Sequence, residues 1–368
     1  MTGSGLLQRV KAKKDLDIVG LGSAHVAFFV EYPPEKIHKE ALDYNFTPYT
    51  ASRLSKLPPL EVDVLGRCFS TVEDSLVIAS RFGAKTALIA KRGDDELGRY
   101  FAEQMADYGV QYDTPPLKGG ETFKARIYVD SEKKEPTIIS VTGASDKLDD
   151  QDIDENLIRH SKFFLSDAYN LIEPDLRQSV LKASDMAQKH DTKIVFGLGR
   201  EVVVRDHREA VEGYIEKYKP HVLDGNRDEY SELVHAQGSD IDTLTKRVQE
   251  YVKQKGVEIA VITLGMDGAR ILVTGDEVVH VPAIAVPKEK IVDLTCAGDS
   301  FLGGFLAGLS SGKPVDVAGE WGAYAASLTI QRHGIKPEQN YKEITEHRKP
   351  FAYYIQQQKK ASESGFSR

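Results

Sequence analysis

The chain is predicted to fold as an α/β protein, a three-layer αβα doubly wound sheet carrying a small β lid. Three observations predict it. Short apolar strands alternate with amphipathic helices along most of the sequence, Gly-rich joints connect them, and one stretch switches to a period of two. Alternation with short joints marks a mostly parallel sheet covered on both faces, whereas a period of two marks strands with distinct faces.

Leu16 to Leu21 reads as the first strand, ending among Gly20 and Gly22. Ala24 to Tyr32 is a second β-rich piece, followed by a Pro-rich insertion to Leu60. Thr71 to Phe82 presents Val72, Leu76, Ala79 and Phe82 on one helical face and stops at Gly83. Thr86 to Ala90 is a buried strand, and Asp95 to Tyr108 a helix with Leu97, Phe101 and Met105 in register. Thr122 to Val129 alternates Phe123, Ala125, Ile127 and Val129 with Lys124, Arg126 and Tyr128. The polar turn SEKKE joins it to Thr137–Val141, which predicts a hairpin. Further strands are expected at Phe163–Leu165, Ile194–Phe196, His221–Leu223 and Ile259–Leu264, with helices over 173–189, 240–255 and 315–332. The lid is assigned to about 24–59 and 118–142 within one domain over 16–350, with flexible tails at 1–15 and 356–368.

Composition excludes several classes. A chain of 368 residues matches one large domain with a satellite, because single cores rarely grow past ~250–300 residues. Forty-eight Lys and Arg against 56 Asp and Glu give a net charge of −8, the wrong sign for a general nucleic-acid binder. No apolar run reaches the ~18 residues of a membrane span, and the N-terminus has no apolar signal core, so a cytoplasmic location is expected. Cys68 and Cys296, far apart in sequence, suggest a reducing compartment and exclude a disulfide framework or a Cys-rich zinc site. Gly20-Leu-Gly22 falls short of a dinucleotide fingerprint, since His25 holds the third glycine place and strand follows. His25 itself reads as a packed lid residue, Arg67 as a surface residue, and Tyr353 and Tyr354 as docking the last helix.

The most informative segment runs from Asp293 to Leu309, DLTCAGDSFLGGFLAGL. Small residues turn directly into a helix whose free amides and positive dipole end form an anion site, with Asp299 in its first turn. Gly303, Gly304 and Gly308 each cost ~1 kcal/mol against Ala, so another backbone or a ligand is expected close to this helix.

This segment resembles the DTxGAGD signature of the ribokinase-like (PfkB) family of sugar and nucleoside kinases. Gly93-Asp-Asp-Glu-Leu-Gly98, Gly143-Ala-Ser145, Asn226-Arg-Asp-Glu229 and Thr263-Leu-Gly-Met-Asp-Gly268 match further family elements in order, over about residues 16–335. Length and the insertion at 33–60 resemble the adenosine kinase-like branch. The resemblance implies Asp299 as the base that takes the acceptor proton, and the amides of Cys296, Ala297 and Gly298 as the anion hole. It implies Asn226, Thr263, Gly265 and Gly268 at the nucleotide, and Glu229 at Mg²⁺. Gly66, Ser70 and Ala27 fall at the acceptor. The implied cofactors are ATP and Mg²⁺, with a monovalent cation such as K⁺ as an option. The implied partner is a small sugar or nucleoside bound by a monomer or homodimer, without nucleic acid or membrane.

The chain also departs from the family pattern. Ala27 stands where the family has an Asp that holds acceptor hydroxyls, Leu65 and Ser70 replace a Gly and the Asn of GGxxxN, and Pro136 replaces Arg. Cys296 replaces the first Gly of GAGD, and a thiol at a helix start is expected to be acidified and reactive. The expected reaction is transfer from ATP to a primary hydroxyl of a sugar, nucleoside or polyol. The competing expectation is a kinase-fold nucleotide-binding regulator whose acceptor pocket has decayed.

Overall fold

Alternate residues of the central strands enter two separate cores, and this fixes the layers. The structure, a computed structural model, describes residues 13–44, 51–58, 62–130, 136–274, 277–335 and 341. In chain order the elements begin with β1 (Leu16–Leu21), β2 (His25–Tyr32), α1 (Pro34–Tyr44), β3 (Ala51–Arg53), β4 (Gly66–Cys68) and α2 (Thr71–Arg81). Next come β5 (Thr86–Ile89), α3 (Glu96–Asp107), β6 (Val110–Tyr112), β7 (Phe123–Asp130), β8 (Pro136–Val141) and α4 (Glu155–His160). Then follow β9 (Ser161–Asp167), α5 (Pro174–Lys189), β10 (Lys193–Gly197), α6 (Glu201–Asp206), α7 (Arg208–Tyr218) and β11 (Val222–Asn226). The chain continues through α8 (Arg227–Leu233), α9 (Ile241–Lys255), β12 (Ile259–Thr263), β13 (Ala269–Val273) and β14 (Glu277–Val281). It closes with α10 (Ala297–Ser310) and α11 (Val315–Thr329).

The main sheet has the order β14-β13-β12-β11-β10-β9-β1-β5-β6. Every pair from β6 to β12 is parallel, and β13 and β14 add an antiparallel edge. Ile18, Leu88, Leu165, Val222 and Val261 join α2, α10 and α11 in one core. Val19, Ile89, Phe164, Leu223 and Ala260 join α5, α7 and α9 in the other. Helices thus cover both faces, as the alternation predicts.

The second sheet has the order β3-β8-β7-β2-β4, so it also takes Gly66–Cys68, beyond the segments assigned to the lid. Its β7–β8 pairing is antiparallel in the predicted hairpin register; the SEKKE turn lies outside the described residues. The face of Lys124, Arg126 and Tyr128 is not simply solvated. Helix α1, inside the Pro-rich insertion, covers it, and Tyr128 donates to Glu40 Oε2 at 2.6 Å while Arg126 Nη2 donates to the Pro58 carbonyl at 2.8 Å. Of the expected tails, most residues lie outside the described ones, as do Tyr353 and Tyr354. Lys14, however, is fastened to the His190 carbonyl and Thr192 Oγ1 at 3.0 and 2.6 Å.

Close approach explains two of the helix glycines. A Cβ on Gly303 would meet the Ser75 carbonyl at 2.5 Å, and one on Gly304 the Trp321 carbonyl at 2.6 Å. Helix α10 is therefore clamped between α2 and α11, which fixes where its N-terminus points.

Candidate active site

That N-terminus opens on a cavity of about 460 Å³ between the two sheets. The second sheet contributes His25, Ala27, Arg53 and Cys68, the main sheet ends at Asp167, and Ser70, Thr71, Arg200, Cys296 and Asp299 complete the wall. A cavity at the carboxyl ends of parallel strands is where open α/β sheets bind ligands. Glu73, fully buried in α2, holds the path from β1 to β2: its Oε1 accepts from the Ala24 amide at 2.9 Å, and Ser70 Oγ donates to its Oε2.

Asp299 sits in the first turn of α10. Burial lifts its carboxyl to about 6, against a hydrogen bond from Thr71, with the Glu73 carboxylate adding to the rise. Such a group is ionised at neutral pH yet basic enough to accept a hydroxyl proton. The turn before it is built by Asp293, whose Oδ1 accepts from the Thr295 amide at 2.8 Å, and by Cys296 at φ 64° and ψ 5°. This left-handed conformation favours glycine, so the Cys costs ~1–2 kcal/mol there. The Ala297 amide donates back to the Leu294 carbonyl at 3.3 Å, while Gly298 is exposed at the helix start with open space around its Cα.

The Cys296 thiol does not behave as its helix-start position suggests. Its hydrogen bond with Cys68, burial, and the charges of Asp74 and Asp299 push it well above the usual thiol range. The expectation of an acidified thiol is contradicted, because the sulfur is buried against Cys68 and near the carboxylates of Asp74 and Asp299.

Asn226 and Glu229 form a reciprocal cap at the start of α8. Asn226 Oδ1 accepts from the Asp228 and Glu229 amides at 2.9 and 3.0 Å, and Glu229 Oε2 accepts from the Asn226 amide at 2.9 Å. Burial drives the Glu229 carboxyl well up, opposed by that amide and reinforced by the charges of Asp224 and Asp299. Asp224, whose Oδ1 is buried without a hydrogen-bond partner, is likewise pushed up by burial and by Asp299. Two buried carboxyls raised by burial and neighbouring negative charge, one with an orphaned oxygen, fit a divalent cation, which relieves that penalty. Thr263 is the register partner of Asn226 on the neighbouring strand. Gly265 and Gly268 take φ of 58° and 81° in the tight β12–β13 turn, and a Cβ on Gly268 would strike the Val281 carbonyl at 2.0 Å. This group borders the strand ends beside the cavity and does not line it.

The acceptor-side residues divide. Ala27 and Ser70 line the cavity; Gly66 does not, and its Cα instead abuts the His333 carbonyl, which a Cβ would approach to 2.3 Å. Arg67 stacks over Phe28 and Tyr100 at 5.7 and 5.1 Å. His25 lines the cavity with its ring 4.9 Å from Phe123, and burial lowers it to about 4, so it is neutral at pH 7.

Three polar wall residues escape the sequence reading. Asp167, two residues beyond the strand end expected at Leu165, is raised by burial to about 7. Thr71 hydrogen-bonds the Asp299 carboxyl. The Arg200 guanidinium borders the cavity and has no hydrogen bond or ion pair among the described residues. The only signal for Asp167 was its position just past a parallel strand; Arg200, on a loop after β10, carried the same signal more weakly.

Comparison with known proteins agrees with this geometry. Residues 75–340 match the model of the pfkB family carbohydrate kinases. The 5-dehydro-2-deoxygluconokinase of Geobacillus kaustophilus (strain HTA426) is 30% identical over 264 residues, 69% of this chain and 76% of that one. The adenosine kinase of Sinorhizobium meliloti superposes with a TM-score of 0.79 at 20% identity, over 91% of this chain and 99% of that one. A probable sugar kinase from Rhizobium etli CFN 42 also gives 0.79, at 22% identity and 91% and 98% coverage. At these identities the two solved structures speak for the fold, which is the ribokinase-like one. The family match, the curated relative and a buried carboxyl at the start of a glycine-clamped helix converge: this chain is a carbohydrate kinase of the PfkB family.

Proposed function

We propose that the enzyme transfers the γ-phosphoryl group of ATP, with Mg²⁺, to the primary hydroxyl of a sugar-like acceptor that carries a carboxylate. The observation that carries the reaction is Asp299, a carboxyl lifted to about 6, on the cavity wall at the first turn of α10. Asp299 Oδ takes the hydroxyl proton as the oxygen attacks phosphorus. Amides at the start of α10 face the charge that develops on the transferring group, and the clamp by α2 and α11 holds them there without reorganisation. Asp224 and Glu229 would hold Mg²⁺ through water, and the ion when bound supplies charge neutralisation at the phosphates. His25, neutral at pH 7, adds no charge to the acceptor end, and the Arg53 guanidinium on the second sheet is paired with Glu173.

The carboxylate follows from two facts. Arg200 is a cation on the cavity wall with no partner among the described residues, and the similar curated kinases are named for a gluconate derivative. Ala27 offers the acceptor no polar atom where a family Asp would grip two hydroxyls, which disfavours plain ribosides. A charged hydrogen bond contributes ~1.5–3 kcal/mol. Arg200→Gln should therefore raise KM for a sugar-acid acceptor about 10–100-fold, leaving kcat and the KM for ATP nearly unchanged. Equal KM values for the acid acceptor in wild type and variant would contradict the carboxylate assignment.

A further inference from the structure

We infer that Cys68, Asp74 and Cys296 form a binding site for a thiophilic divalent cation of the zinc class, tying the second sheet to the start of the catalytic helix. The two cysteines come from opposite ends of the fold: Cys68 ends β4, and Cys296 is the residue before α10. The Sγ atoms and an Asp74 carboxylate oxygen lie within 4.8 Å of one another. In a tetrahedral zinc complex, with bonds of ~2.3 Å to sulfur and ~2.1 Å to oxygen, ligand atoms stand roughly 3.6–3.8 Å apart. A bound ion would draw the three atoms together to those separations.

Burial supplies the second, independent observation. Asp74 has no exposed surface, and Cys68 and Cys296 are 3% and 8% exposed. Asp74 Oδ1 accepts from the Phe69 amide at 3.0 Å, which fixes the carboxylate, but its buried Oδ2 has no partner of ordinary hydrogen-bond geometry. The groups it faces are the thiols, the weakest donors among side chains. A carboxylate oxygen kept dry and unpartnered in a native interior asks for a reason, and a metal ion is the one ligand that also suits two adjacent sulfurs. Mg²⁺ does not fit this set, because it demands oxygen ligands and near-octahedral geometry.

Binding is an exchange of protons for metal, with no change of oxidation state. The ion forms two metal–sulfur bonds and one metal–oxygen bond, the two thiol protons leave to solvent, and Asp74 coordinates as the carboxylate. Cys68 and Cys296 both line the cavity, so the fourth position opens toward it and takes a water molecule.

The test uses the full chain, reduced, stripped with a chelator and desalted, then titrated with Co²⁺ as the spectroscopic stand-in. The site predicts one equivalent of cobalt with a thiolate-to-metal charge-transfer band and tetrahedral visible bands, both erased by one equivalent of Zn²⁺. Cobalt at the all-oxygen Mg²⁺ position gives no thiolate band, so the two places are told apart. Loss of an outer partner already weakens metal binding by roughly 10–100-fold. Cys68→Ser and Asp74→Asn, checked for folding by circular dichroism, should each weaken cobalt binding by more than about a hundredfold. If either variant fails to fold, the wild-type band and its displacement by zinc decide. Absence of that band, an undiminished band in Cys68→Ser, or conversion of the stripped pair to a disulfide in place of metal uptake overturns the site.

Discussion

Replacing Asp299 with Asn separates catalysis from stability, because the same burial that makes the residue a good base also destabilises the folded protein. Its carboxyl rises from the ordinary 3.8 to about 6. In the unfolded chain the group ionises around 3.8; in the folded chain it stays protonated until about 6. The folded state therefore binds the extra proton in that window, and stability falls as pH rises through it. Above pH 6 the penalty is complete, with an upper bound of ~3 kcal/mol at 1.36 kcal/mol per pH unit. Partial exposure of Asp299 brings the expected range to about 1–3 kcal/mol. An Asn keeps the shape and accepts the Thr71 hydrogen bond, yet it carries no charge and takes no proton. Asp299→Asn should thus melt at a higher temperature than wild type at pH 7.5, and the difference should vanish near pH 4. Turnover should fall ~10²–10⁴-fold, the usual contribution of a positioned base. In the wild type, kcat/KM should drop about tenfold between pH 7 and pH 5, as the ionised fraction declines around 6. Differential scanning fluorimetry and a coupled ADP assay on the same samples read both quantities. Turnover above about a tenth of wild type, or a melting temperature unchanged at pH 7.5, would refute the reasoning.

Three further outcomes are expected. Mg·ATP at a hundredfold excess over Kd should stabilise the native protein by ~2.7 kcal/mol in thermal denaturation, and no shift at millimolar Mg·ATP would remove the nucleotide from the account. In chelator-stripped, metal-free protein, Cys296→Gly should gain ~1 kcal/mol in chemical denaturation by relieving the left-handed backbone at φ 64°; a loss would mean that the packed thiol contributes more than the strain. Gly268→Ala should lose at least ~2 kcal/mol, since its Cβ would collide with the Val281 carbonyl at φ 81°, and a neutral effect would show that the β12–β13 turn rearranges freely.

What the sequence revealed and what it hid divide along a physical line. Strands such as Leu16–Leu21 and helices such as Pro174–Lys189 were legible because burial on one face or both leaves a periodic trace within a dozen residues. The start of α10 was legible for the same reason, since its small residues and glycines are consecutive. Helix α1 was hidden by the prolines around it, and the edge strand β14 by its mixed, half-exposed residues. Glu73 and Asp74 are acids in the first turn of α2 with no signal in the sequence to set them apart, and packing buries them near Asp299. Cys68 and Cys296 looked unrelated because their proximity depends on both sheets meeting at one cavity. Local patterns carry local geometry; convergence of distant residues is written in no single stretch.

The central claim is phosphoryl transfer from ATP to a carboxylate-bearing sugar at the cavity beside Asp299. Its most direct test incubates the wild-type protein with Mg·ATP and a matched panel of sugar acids, neutral sugars and nucleosides, measuring ADP and locating the new ester by phosphorus NMR. Acceptor-dependent ADP formation with sugar acids, a phosphate on the primary hydroxyl, and far weaker turnover of neutral sugars and nucleosides are expected. Efficient phosphorylation of adenosine or ribose, with sugar acids inert, would contradict that claim.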